Sequence, residues 1–290
     1  MLHGVKRYNL CEKHDESQKF FEYKETLAYY YDSKSLMASA SILLLNPEYY
    51  PAWNTRKKGL KNLDHSGLED ELLLTFKCIK NNPKSYSSWY HRKWIIQKGI
   101  KSGIKIDIAK ELHLIHRLLD LDSRNFHCWN YRAFLAHLYA LSLPEELEFT
   151  TNRLKIDFSN YSAWHRRQII FEKINFDLGK ELELVERSVW TMPSDESPWL
   201  HWRWIISKCF EGINQSESTI NQSRISFFST LIDRSTTSLK ELLDLEPSAL
   251  YAIFMIAQIN VYMGKSVQSS FERLSQVDPM RNGLYKLVIK

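Results

Sequence analysis

The chain is short of turn formers. Its 290 residues hold 9 Gly and 8 Pro, roughly half of the usual combined share of about 12%. An all-β sandwich or barrel needs a turn signal about every ten residues, so this scarcity argues against one. Collagen and disorder are excluded by the same count and by the 44% hydrophobic content. The four cysteines, Cys11, Cys78, Cys128 and Cys209, form no C-x-x-C pair, which reads as reduced thiols in a cytoplasmic protein. No apolar run approaches the ~18 residues of a membrane span, and the first residues lack the apolar core of a signal peptide. Phosphate-binding glycine loops, G-x-S-x-G and H-E-x-x-H are all missing. A net charge of +5, from 39 basic and 34 acidic residues, is too mild without a patch to imply nucleic-acid binding.

Aromatic residues, by contrast, are abundant and periodic. Trp53, Trp89, Trp129, Trp164 and Trp199 are separated by 36, 40, 35 and 35 residues. Three positions before the Trp stand Tyr50, Tyr86, Phe126 and Tyr161, with Glu196 in the fifth copy. Three positions after it stand Arg56, Arg92, Arg132 and Arg167, and in the fifth copy Arg203 follows at four. Each unit reads as two helices. The first carries apolar residues at helical spacing, as in Leu112, Ile115, Leu118 and Leu119, and stops at an Asn or Asp such as Asn46-Pro47 or Asn82-Pro83. Asn is expected to adopt a left-handed cap there. The second helix is expected to open near Ser87, Ser162 or Ser197 and to carry the Trp in its first turn.

Two degenerate copies follow around Pro247 and Pro279, with Ile253 and Tyr285 in the Trp slot. The sequence thus predicts an all-α fold, a right-handed superhelical crescent (α-solenoid) of about seven helical hairpin repeats. Residues 1–34 form a charged N-terminal segment, with a helix at about 16–31 behind a flexible tip. Residues 35–290 form the repeats. Within them, 211–235 is a Ser/Asn-rich insertion, read as a mobile loop or a short extra helix.

The Trp column reads as core between successive hairpins. The Arg column has two readings: pairing inside the stack, or an interface with a partner. Arg56 begins a run with Lys57 and Lys58 that is also compatible with a solvated face. His113 and His116, at i and i+3, lack the further ligands of a metal site. Cys128, between His127 and Trp129, has no acidic orienter near it and reads as a packed repeat residue. Lys84 and Tyr86 lie in a turn rather than on a packed face. A lysine there is suited to a phosphate, or is merely solvated. Residues 35–100 hold ten basic against five acidic residues, an excess equal to the net charge of the whole chain.

The segments NPKSYSSWYHRKW, RNFHCWNYRAF and FSNYSAWHRR resemble the second to fourth repeats of protein prenyltransferase alpha subunits, in the Rab geranylgeranyltransferase branch of that family. HGVKR near the start and VDPMR near the end are similar to the family's termini. The resemblance implies a helical subunit that wraps a beta subunit, an α–α barrel holding the catalytic zinc. No cofactor is then expected in this chain. It also implies geranylgeranyl diphosphate at the heterodimer site and transfer to C-terminal cysteines of Rab GTPases presented by an escort protein. The supporting active-site positions of the family fall on Lys84, Tyr86 and His127. Ser87 stands where farnesyltransferase has a Gln that holds the substrate's terminal carboxylate. Three alternatives stand beside this reading. They are the alpha subunit shared by farnesyltransferase and the type I enzyme, a tetratricopeptide-like scaffold, and an RNA-binding solenoid, which needs a basic stripe with exposed aromatics.

Overall fold

The computed structural model describes residues 13–61, 64–174, 177–218 and 221–289. The chain divides into two compact units, Met1–Ala140 and Leu141–Lys290. Among the described residues there are helices and no strand. The first unit starts with α1 (Lys13–Ser33) and continues as three hairpins: α2 (Leu36–Leu45) with α3 (Tyr50–Gly59), α4 (His65–Asn81) with α5 (Tyr86–Lys101), and α6 (Ile108–Leu121) with α7 (Phe126–Leu138). The second unit holds four. These are α8 (Leu143–Ile156) with α9 (Tyr161–Phe171), α10 (Leu178–Thr191) with α11 (Glu196–Ser218), α12 (Gln222–Leu245) with α13 (Leu250–Tyr262), and α14 (Gln268–Val277) with α15 (Asn282–Ile289). In each unit first helices pack on first helices and second on second, as in α2 on α4 and α5 on α7, or α10 on α12 and α9 on α11.

The hairpin turn explains why a tryptophan recurs. The first helix ends at Asn46, Asn82, Asp122 or Asp157, all with φ between −135° and −146°, so the two asparagines do not adopt the left-handed cap expected for them. The side chain, not the backbone hand, makes the stop. Its Oδ1 accepts from the N–H two residues on, at 3.1–3.2 Å in all four turns, an Asx turn that draws the chain out of the helix. The second helix is capped by Ser85, Asn125 or Asn160; Ser85 and Asn160 stand two residues before Ser87 and Ser162, the serines expected to open it. The tryptophan in its first turn then donates from Nε1 to the carbonyl six residues back. Trp53 reaches Pro47, Trp89 Pro83, Trp129 Ser123, Trp164 Phe158 and Trp199 Pro193, at 2.7–2.9 Å. These rings are 1–7% exposed. One side chain therefore fills the core and satisfies a turn carbonyl that the backbone leaves open. Ile253 and Tyr285 are buried in the two degenerate copies.

The segment 211–235 is expected to be a mobile loop or a short extra helix. Its described residues are helical rather than a loop, but as parts of two long hairpin helices, α11 and α12. Phe228, Leu231, Ile232 and Ser235 are buried and continue with Leu239 and Leu242 at helical spacing, so the Ser/Asn content marks the solvent face of a helix. Gly212 lets the pair close, since a Cβ there would stand 2.3 Å from the Phe228 ring. The N-terminal tip, with Cys11, lies outside the described residues.

Candidate functional site

Three candidate residues come together in the first unit. Lys84 follows α4, Tyr86 opens α5, and His127 is the second residue of α7. The Tyr86 ring meets the His127 ring edge-on at 4.5 Å and the Phe126 ring at 5.6 Å. Tyr86 is nevertheless 66% exposed, and the Lys84 side chain 73% exposed. His127 is buried, and its Nε2 has no hydrogen-bond partner. Burial holds its pKa below the ordinary histidine value, although the Lys84 main-chain carbonyl, bonded to the ring, works the other way. The imidazole is therefore neutral at neutral pH.

The turn that carries His127 also fixes the turn that carries Lys84. Asn125 caps α7 with Oδ1, which accepts from the His127 and Cys128 N–H groups. Its Nδ2 donates to the Pro83 carbonyl at 3.2 Å. Asp122 places Oδ2 at 3.6 Å from Lys84 Nζ. On the preceding side, Glu48 accepts from Ser87 Oγ at 2.8 Å. An exposed ammonium and a phenol thus stand on a backbone held from its neighbours, an arrangement suited to meeting an anion without reorganisation. Nearby, Lys57 Nζ lies 4.5 Å from the Tyr90 ring centroid and Lys93 Nζ 5.6 Å from that of Phe134. Burial lowers the pKa of both lysines.

Four of the five repeat arginines weighed as partner-facing lie inside the stack instead. Arg56, Arg92, Arg132 and Arg167 are buried. Arg92 forks onto Glu111 with Nε at 2.8 Å and Nη2 at 2.6 Å, while Nη1 reaches the Leu72 carbonyl and Thr75 Oγ1. Arg56 brings Nε and Nη2 to a single oxygen of Glu71, and Nη1 to the Leu36 carbonyl and Ser39 Oγ. In the second unit Arg167 repeats the Arg92 fork with Glu181, the Leu147 carbonyl and Thr150. Arg132 Nη1 meets His116 Nε2 at 2.9 Å. The fifth-copy Arg203 is exposed and donates to Gln258 at 2.9 Å. The reason is geometric: a guanidinium one turn beyond a buried Trp faces the next hairpin, and hydrogen-bonded partners there make that burial tolerable.

Those partners, Glu71, Glu111 and Glu181, were not singled out from the sequence. Each also takes a bond from the second residue after the next tryptophan. His91 reaches Glu71 at 2.8 Å, Tyr131 Glu111 at 2.7 Å, and His201 Glu181 at 2.6 Å. The signal was present, because Glu71, Glu111, Glu146 and Glu181 all stand 18 residues before a repeat tryptophan. Cys78, Cys128 and Cys209 are buried and free. Burial pushes each thiol up to about 12, so none is a ready nucleophile. Among the described residues no three His, Cys, Asp or Glu side chains converge as a metal-ligand set, and no helix is long and apolar enough to cross a membrane.

The model of the protein prenyltransferase alpha subunit repeat matches residues 68–99, 108–139, 143–174 and 178–209. The chain is 28% identical to the geranylgeranyl transferase type-2 subunit alpha of Dictyostelium discoideum, over 98% of each protein. It is 36% identical to the protein of that name from Mus musculus over 40% of this chain, a match spanning 21% of the mouse protein. The counterpart from Candida albicans is 32% identical over 47% of this chain and 43% of its own length. A chain from the structure of Candida albicans protein geranylgeranyltransferase-I complexed with GGPP shares the fold, with a TM-score of 0.72 at 24% identity, over 90% of this chain and 85% of that one. Each matched repeat begins 21 residues before one of the buried tryptophans, so the turn-closing indole and the Arg–Glu fork fall within the matched pattern, and the chain carries four copies of the protein prenyltransferase alpha subunit repeat.

Proposed function

We propose that this chain is the alpha subunit of a heterodimeric Rab geranylgeranyltransferase, active in the cytoplasm with a beta subunit. Geranylgeranyl diphosphate is the donor. The acceptors are C-terminal cysteine thiols of Rab GTPases presented by an escort protein. In the reaction a thiolate sulfur bonds to the first carbon of the isoprenoid, the carbon–oxygen bond breaks, and diphosphate leaves with the electron pair. Zinc, assigned to the beta subunit, supplies the thiolate by lowering the pKa of the acceptor thiol.

This chain's part is electrostatic. Lys84 offers an ammonium where charge grows on the leaving diphosphate, and Tyr86 adds a hydroxyl donor beside it. Neutral His127 holds both through its bond to the Lys84 carbonyl and its contact with the Tyr86 ring. The observation that carries the reading is the meeting of these three residues at one turn edge, with Lys84 and Tyr86 exposed and their backbone fixed. The names of the relatives favour the type-2 branch.

Co-expression with a beta subunit tests the proposal. The expected result is a two-chain complex, zinc-bearing in the beta chain, that prenylates a Rab–escort complex with geranylgeranyl diphosphate. Lys84→Ala should lower turnover by about 10²-fold and leave the heterodimer intact. Activity on short peptides with farnesyl diphosphate would favour the shared alpha subunit. Failure to bind any beta chain would favour the scaffold.

A further inference from the structure

We infer that Asp122 is a positioning residue that competes with the diphosphate for Lys84, keeping the ammonium from binding diphosphate too tightly before and after transfer. The inference rests on the proposed role of Lys84 and concerns the resting state of that side chain.

Both members of the Lys84–Asp122 pair are fixed where they leave the backbone. Asp122 ends α6, and its Oδ1 is committed to the Arg124 N–H at 3.2 Å. Its Oδ2 remains directed to Lys84 Nζ at 3.6 Å. Lys84 is anchored by its own N–H to Asn82 Oδ1, by the Asn125 bond to Pro83 and by the bond between its carbonyl and His127. Only the lysine stem is free to move. At 73% and 41% side-chain exposure, the pair is the weak, exchangeable kind of ion pair. An arriving diphosphate, with several negative charges, displaces the carboxylate, and the departing product returns the ammonium to it. Such a resting partner subtracts from the binding of substrate and product alike. It leaves the charge that develops in the transition state to be met by a freed ammonium, which is where the interaction raises turnover. Glu48, held on Ser87 and within electrostatic reach of His127, adds a second negative charge on the other flank.

The probe is inorganic diphosphate, measured as an inhibitor of the heterodimer and by calorimetry on the same complex. Asp122→Asn keeps the oxygen that caps the turn and removes the charge. It should tighten diphosphate by about threefold, the size of an exposed ion pair, and lower KM for the isoprenoid diphosphate with no gain in kcat. In a Lys84→Ala background most of that effect should vanish, because the two residues act on one another. An equal tightening in both backgrounds, or none in either, would overturn the inference while leaving Lys84 in place. If Lys84→Ala alone leaves diphosphate affinity and turnover unchanged, the reading of the site fails, and this inference with it.

Discussion

The turns of the first unit and those of the second follow one plan but are finished differently. Before Trp89 and Trp129, the turn side chains are Lys84, Tyr86, Asp122 and His127, and the contact from Lys84 to Asp122 is a loose 3.6 Å. Before Trp164 and Trp199, the turns close on themselves. Ser159 Oγ donates to Asp195, and Ser197 Oγ donates to the Ser159 carbonyl at 3.1 Å. Tyr161, the counterpart of Tyr86, stacks on His165 of its own helix at 6.0 Å. The interiors do not differ in this way. Arg92 with Glu111 and Tyr131 in the first unit matches Arg167 with Glu181 and His201 in the second. What is shared between the units builds the repeat, and the side chains left exposed at one edge of the first unit are those to which the proposed function assigns chemistry.

The comparison breaks first if the interiors are not equivalent. Glu71→Ala and Glu181→Ala each strand a buried guanidinium and a buried imidazole, in different units. Each should cost about 3–5 kcal/mol of stability, the range for removing one partner of a buried pair. Denaturant midpoints of the two variants should fall together. A large loss for one and a small loss for the other would mean that only one unit depends on its fork.

A smaller effect is expected from acid, and again it should be common to both units. Burial holds His91 and His201 below the ordinary 6.5, against the opposing pull of Glu71 and Glu181. For those two glutamates burial pushes upward, but the bonds from arginine and histidine outweigh it, and their pKa values fall below 4.5. In both cases the native state binds fewer protons than the unfolded chain, so stability rises with pH across each window. It should be flat above about pH 7, begin to fall below 6.5 as the unfolded histidines protonate, and fall further below 4.5 as the unfolded carboxylates do. Urea midpoints of the wild type and of a His91→Gln, His201→Gln double variant measure this. The double variant should lose most of the upper part of the slope, the remainder coming from His127, and keep the lower. An unchanged slope near pH 6 would show that neither imidazole is held neutral.

The elements differed in how readily the sequence revealed them. The tryptophan period set the number of hairpins, because a side chain that both fills a core and caps a carbonyl tolerates no substitute in the regular copies. The fork was hidden because the first helices were read for apolar spacing alone, where a buried Glu111 or Glu181 looks like an interruption. Once Glu71 is paired with Arg56, an arginine column that resembled a partner surface becomes part of the core. Asn46 and Asn82 differ in backbone hand from what the sequence predicts, since Asn is common in left-handed caps and also in Asx turns. In 211–235, Ser and Asn content outweighed the spacing of Phe228, Leu231, Ile232 and Ser235. Lys84, Tyr86 and His127 were named through family resemblance. Periodicity alone reads Lys84 as a solvated lysine, because an exposed turn carries no apolar spacing to mark it.

The smallest expected effect sharpens the comparison at the edge. Ser159→Ala removes the bond to Asp195 and leaves the Ser159 carbonyl, which still accepts from Ser197. A single part-buried hydrogen bond is worth about 1 kcal/mol, and part of that returns when water reaches the freed carboxylate. The variant should therefore shift the melting midpoint by a few degrees at most and leave turnover of the heterodimer unchanged. Lys84→Ala should do the reverse, with turnover falling and melting barely moved. If Ser159→Ala lowers turnover as far as Lys84→Ala does, the self-closed turns of the second unit are part of the reacting edge, and the division between a structural and a reactive edge is lost.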